Sequence, residues 1–145
     1  MCLSLKPLLP TTVYKLYEAP LHAKKYQAEG FYRHVSVDLT PGKVVVSNRE
    51  STALTNEEIK FAEVERGLHA FTSLDSARKH ARGSFVRGCY QLVIVKMLGH
   101  TEDFVAFGNN NQVVFSKLTT VEIIEGPASF FSKSPKRDSQ GRFAR

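Results

Sequence analysis

The chain has 145 residues, 42% of them hydrophobic, which is enough to bury one sizeable core and too little for two ordinary domains. Its longest apolar runs, Leu92-Val93-Ile94-Val95 and Val44-Val45-Val46, fall far short of the roughly 18 residues that a membrane helix needs. The formal charge is +6, but Lys133, Lys136, Arg137, Arg142 and Arg145 against Asp138 put +4 of it after residue 126, so the remainder is nearly balanced. The expected layout is therefore a globular unit over 1–126 and a basic, disordered tail over 127–145.

Cys2-Leu3-Ser4-Leu5 reads as a short strand, and Pro7, Pro10 and Pro20 break up the start of the chain, which has no continuous apolar core of the signal-peptide kind. Cytoplasmic residence is the expectation that follows, with no membrane partner. Val13-Tyr14-Lys15-Leu16-Tyr17 places β-branched and aromatic residues at period two, the mark of a first strand that Pro20 stops. Phe31 to Asp38 alternates in the same way, with Tyr32, His34, Ser36 and Asp38 on its polar face. Thr40-Pro41-Gly42-Lys43 is a tight-turn signature, and Val44 to Ser47 then reads as a strand returning alongside the previous one in a hairpin.

Thr55-x-x-Glu58 fits a capping box and predicts a helix over 56–66 that Gly67 ends, although the alternation of Lys60, Ala62 and Val64 also suits a strand. Leu68 to Thr72 is a short strand. Ser73 caps a second helix whose Leu74, Ala77 and Ala81 share a face and which Gly83 ends. Cys89 to Leu98 is apolar enough for the middle of a sheet. Phe104 to Phe107, Gln112 to Phe115 and Thr119 to Ile124 are three more strands, with Gly108-Asn109-Asn110-Asn111 as a turn. The sum is an α+β fold: a single domain with a mixed, mostly antiparallel sheet and two short helices.

Gly67 to Ala81 carries the strongest suggestion of chemistry. His69 and Thr72 end a strand, Ser73 opens a helix whose first amides attract anions, and Arg78 and Lys79 lie on that helix, a set suited to phosphate or ribose. His34 and Tyr14 complete the opposite wall of the expected site. The same residues also fit a plain reading, in which His69 is a structural histidine and Ser73 only a cap.

Other chemistry is less well supplied. His34-Val35-Ser36 has the spacing of two-histidine phosphoesterases, but the hydroxyls near His69 and His100 sit at the wrong offset for a second element. Glu102, Asp103, Glu122 and Glu125 read as a solvated sheet face. The five histidines and two cysteines have no metal-ligand spacing, and no glycine-rich phosphate loop or cofactor motif is present. Cys2 is an N-terminal nucleophile if Met1 is removed, though the glycine-rich context of such enzymes is missing.

Met1-Cys2-Leu3-Ser4-Leu5, Val13-Tyr14-Lys15, Gly67-Leu68-His69-Ala70-Phe71, Gln91 to Met97 and Lys117 to Ile124, in this order, resemble small phage and bacterial proteins that have no assigned activity. More distantly, the glycine-led strand and alanine-spaced helix of Gly67 to Ala81 are similar to those of ADP-ribosyltransferases. In that family an early strand supplies a polar residue for the adenine ribose and a late strand supplies a catalytic glutamate. Val13-Tyr14-Lys15 has no histidine, and Gln112 stands where the glutamate is expected.

The resemblance thus implies an ADP-ribosyltransferase-like fold that binds an ADP-ribose-like or cyclic nucleotide without turning it over. A phage or prophage protein sequestering a host defence signal, with pockets between the subunits of a homo-oligomer, is the function expected. The alternatives are an enzyme acting on NAD or a phosphodiester, and a nucleic-acid-binding protein using its basic tail.

Overall fold

The computed structural model describes residues 11–20, 23–30, 36–47, 51–64, 66–82, 90–108 and 111–131. Outside them lie Cys2 to Leu5, Phe31 to Val35 with His34, Gly83, Cys89, Asn109-Asn110 and the basic tail from residue 132. Nine strands form one sheet among the described residues: β1 (Thr11–Pro20), β2 (Gln27–Gly30), β3 (Ser36–Asp38), β4 (Val44–Val46), β5 (Leu68–Phe71), β6 (Tyr90–Gly99), β7 (Phe104–Phe107), β8 (Gln112–Phe115) and β9 (Lys117–Glu125). Helices α1 (Asn56–Phe61) and α2 (Leu74–Arg82) complete an α+β architecture. Every strand pairing is antiparallel, so the sheet is not mixed. No described helix is long and apolar enough to cross a membrane.

The main path of the sheet runs β4-β9-β6-β1-β5-β8-β7, with β2 and β3 branching from β1. Its two flanks, both paired to β1, are also linked by a single residue. Ser116 alone separates β8 from β9, although four strand spacings lie between them along the path, roughly 19 Å in a flat sheet. One residue spans only about 3.5 Å. The sheet therefore has to curl, and hydrogen bonds at Ser116 tie its two edges together: the Ser116 N–H donates to Asp103 O (2.8 Å) just before β7, and the Ser47 N–H just after β4 donates to Ser116 O (2.9 Å).

The inside of the curl holds the main core. Val13, Tyr17 and Ala19 from β1, Val93, Val95 and Met97 from β6, and Phe104, Val113, Phe115 and Leu118 from the closing strands pack there with Phe130. Alternation along β1 and β6 puts these side chains on one face because successive Cβ atoms point to opposite sides of a strand. Gly99, the last residue of β6, faces the Phe115 ring so closely that a Cβ would sit 2.4 Å, 2.6 Å and 2.8 Å from three of its carbons. That ring is fully buried and meets Phe104 edge-on at 5.6 Å, so it has little room to retreat. Gly99→Ala should cost about 1–3 kcal/mol by overpacking, read as a lower urea midpoint with an unchanged slope.

On the outer face α2 covers Leu16, Phe71 and Ile94 through Ala77 and Ala81, whose small side chains let the helix lie close to the sheet. Leu74, at the same helical spacing, packs at the edge of this layer. A third, smaller cluster joins Val105, Ala106 and Val114 to Leu54 and Val64.

Two local expectations are corrected. The capping box forms, with the Glu58 N–H donating to Thr55 Oγ1 and the Thr55 N–H to Glu58 Oε1, but the helix ends at Phe61 instead of continuing to Gly67. Ala62 takes a left-handed conformation (φ 54°), and the chain leaves the helix so that Val64 can reach the third cluster. The Pro41-Gly42 turn also forms, with the Lys43 N–H on Thr40 O, yet it redirects the chain and makes no hairpin. β3 pairs with β2, a strand that no pattern in the sequence announces, while β4 pairs with β9. The Gly42 N–H to Thr120 O and the Thr120 N–H to Lys43 O start that second ladder inside the turn itself. Asp38 braces the turn: hydrogen bonds from the Thr40 hydroxyl and N–H, with Lys43 beside it, hold its carboxyl below the usual carboxylate range.

Candidate functional site

The strand–turn–helix from β5 to α2 forms as its residues dictate, and Ser73 caps α2 by accepting from the Ser76 N–H at 3.1 Å. His69 is half-buried with its Nε2 2.8 Å from Val64 O, so one ring nitrogen is occupied in holding the segment after α1. The Thr72 N–H donates to Asn111 O at 2.8 Å while its side chain faces solvent. Ser73 Oγ also donates to Ser76 Oγ, which in turn accepts from Asn111 Nδ2. The helix start is thus laced to the β7–β8 connection, and exposed Asp75 adds negative charge beside it. Tyr14 lies at the edge of the apolar layer beneath α2, Lys79 points into solvent, and His34 is outside the described residues.

Of the expected set, Arg78 lines a hollow among the described residues. Near the C-terminal end of α2, Arg78, Ala81, Arg82, Leu92 and Glu125 line an open hollow of about 200 Å³. Arg78 and Arg82 are four residues apart and so share one helix face. Leu92 and Ala81 give the hollow an apolar floor, and the Arg78 Nε donates to Glu125 Oε2 at 2.8 Å. Glu125 is therefore not merely part of a solvated sheet face: it fixes one guanidinium and leaves its terminal nitrogens to point elsewhere. With both partners about 40% exposed, the pair adds little to stability; its effect is orientation.

Arg82, Leu92 and Glu125 were not read as site residues in the sequence. The spacing of Arg78 and Arg82 across Ala81 was the available signal for the first of them, whereas Leu92 and Glu125 reach the hollow only through the pairing of β6 with β9. A second hollow of about 420 Å³ is lined by Thr55, Glu57, Glu58, Phe61, Glu63 and Arg66. Three carboxylates against one guanidinium make it the wrong sign for phosphate.

Lys15 is chemically unusual. It lies on the core face of β1 with its Nζ donating to His69 O at 3.1 Å and lying 5.1 Å from the centre of the Tyr17 ring. No carboxylate pairs with it among the described residues, and burial alone lowers its ammonium pKa from 10.5 to about 8. The neighbouring Tyr17 hydroxyl is also buried, directed at Met97 Sδ (3.9 Å), and burial pushes its pKa up.

Compared with known proteins, the chain matches no family model, no curated protein and no solved structure, so the reading of its function rests on its own residues.

Proposed function

We propose that the protein binds a small nucleotide-type ligand, ADP-ribose-like or a cyclic nucleotide, through the hollow lined by Arg78 and Arg82. The observation that carries this reading is the pair of guanidiniums on one face of α2 beside an apolar floor. Guanidinium groups match phosphate oxygens in paired hydrogen bonds, and the clamp from Glu125 fixes one of them before a ligand arrives. The hollow has the size of a phosphate with part of its sugar, which leaves the base over the adjoining surface.

Among the described residues that line this hollow the one carboxylate, Glu125, is bound to Arg78. Binding without turnover is the activity that follows, and a phage or prophage protein that withdraws a host signalling nucleotide is the biological role that fits the sequence resemblance. Thermal unfolding with ADP-ribose, NAD and cyclic dinucleotides should show at least one that raises the midpoint, because a ligand that binds only the folded state adds to its stability. Arg82→Ala should weaken that ligand about tenfold or more, whereas Lys117→Ala, on the exposed start of β9, should not. Denaturing the complex should return the ligand intact. No shift with any of these compounds, or equal binding by Arg82→Ala, would refute the assignment.

A further inference from the structure

The connection from β1 to β2 carries its charge at the tip. The Ala23 N–H donates to Pro20 O and the Gln27 N–H to Lys24 O, both at 3.0 Å, so the chain reverses at Lys24 and Lys25. Both lysines are exposed. Tyr26 completes the reversal in a left-handed conformation (φ 66°), which glycine or asparagine adopts with less strain than a bulky residue does. Its ring lies 5.2 Å from the Lys25 Nζ, so an aromatic face and an ammonium are presented together.

The last described residues come to the same place. After β9, the 3₁₀ turn Ala128–Phe130 sets the Phe130 ring into the core at 5.8 Å from the Tyr26 ring, and the Ser129 hydroxyl donates to Ala23 O at 3.3 Å. The next residue, Phe131, is 48% exposed. A single exposed phenylalanine is ordinary, but this one stands beside two exposed lysines where a run with Lys133, Lys136, Arg137, Arg142 and Arg145 against Asp138 sets out. The carboxylates of the two strands, Glu18 and Glu29, stand back along their ladder, and Glu18 is buried.

We propose that the β1–β2 turn and Phe131 form a docking surface for single-stranded nucleic acid, with Lys24 and Lys25 on its phosphates and the Phe131 ring against a base. Single strands are held by cations that follow the backbone and by aromatic faces on which bases stack, without contacts that read sequence. The basic side chains after Phe131 add to the attraction of a polyanion. An anionic membrane would draw the same lysines, but it rewards several large apolar side chains entering together, and on this surface Phe131 is the one exposed among the described residues. The surface is separate from the Arg78–Arg82 hollow, because Phe130 anchors it in the inner core while the hollow lies against α2 on the outer face.

The test titrates the full-length protein into labelled oligothymidine of about 20 nucleotides and follows fluorescence anisotropy as salt is raised. Replacing Lys24 and Lys25 together by alanine should weaken binding about tenfold and make the fall of log affinity with log salt shallower by about 1.4, since each phosphate neutralised on a single strand contributes about 0.7. Phe131→Ala should weaken binding about fivefold or more and leave that slope unchanged. Lys117→Ala and Arg82→Ala should bind like the parent, which keeps this surface distinct from the hollow. An unchanged affinity and slope in the double lysine variant would place the binding on the basic run alone, and a loss in Arg82→Ala would place the strand in the hollow. Either result overturns the proposal, as would absence of binding, equal affinity for a duplex of the same length, or a preference for phosphatidylserine vesicles over the oligonucleotide.

Discussion

Replacing Phe115 with alanine is expected to lower stability by about 3–5 kcal/mol, a large part of what a domain of this size has. The side chain is 0% exposed and stands at the point where the curl closes, against Phe104 from β7 and Gly99 from β6. Removing it leaves a void that the surrounding strands can collapse into only partly, because β8 is held on both sides by β5 and β7. Urea unfolding followed by circular dichroism measures the loss. The same ring is what makes an added methyl at Gly99 costly, so Phe115→Leu should relieve part of the Gly99→Ala penalty, and the two changes together should cost less than their separate effects predict.

The second large effect is a dependence on alkaline pH. The folded Lys15 ammonium titrates near 8 and the unfolded one near its ordinary value, so between about pH 8 and 10 the unfolded state binds more protons. Stability must therefore rise with pH through this window, on the order of 2 kcal/mol after allowance for the water that reaches the amine. Tyr17 acts in the opposite sense above it. Its folded pKa is raised, so beyond about pH 10 the unfolded state loses a proton that the folded state keeps, and stability falls.

Lys15→Met should abolish the rising limb and retain the falling one. The variant also leaves His69 O without the Lys15 donor, which lowers the whole curve, so the slope between about pH 8 and 10 and not the height reports the titration of the amine. Chemical denaturation of both proteins at intervals from pH 7 to 11 gives the difference. Parallel curves would mean that Lys15 titrates like an exposed lysine.

The parts of this structure that were legible in the sequence are those where one short signal determines the outcome. Ser73 followed by Leu74, Ala77 and Ala81 gives both the start and the buried face of α2. The run from Leu92 to Val95 gives a strand with a neighbour on each side. Partners were harder to read, because alternation reports which face a strand buries and says nothing of which strand lies beside it. Val44 to Val46 accordingly reads as a strand, while its pairing with β9 is set by hydrogen bonds to Thr120 from the other end of the chain. β2 escapes because only Ala28 of its four residues is buried.

The site was half legible for the same reason. Arg78 follows from its place on a helix. Its clamp by Glu125 depends on the irregular register of β6 with β9, which shifts twice between Ile94 and Met97 and which no local pattern announces. His69 reads equally as a ligand contact or a structural histidine, and its bond to Val64 O depends on the chain leaving α1 at Ala62.

The link at Ser116 leaves no slack, and this has a consequence for how the molecule can be built and altered. Strands β8 and β9 cannot settle into their places independently, since seating either one fixes the start of the other to within a single residue. The final pairings on the two flanks should therefore appear together and late. A glycine spacer inserted beside Ser116 should be tolerated worse than one of equal length in the Lys24-Lys25 turn, because it would loosen a joint that holds the two flanks in register.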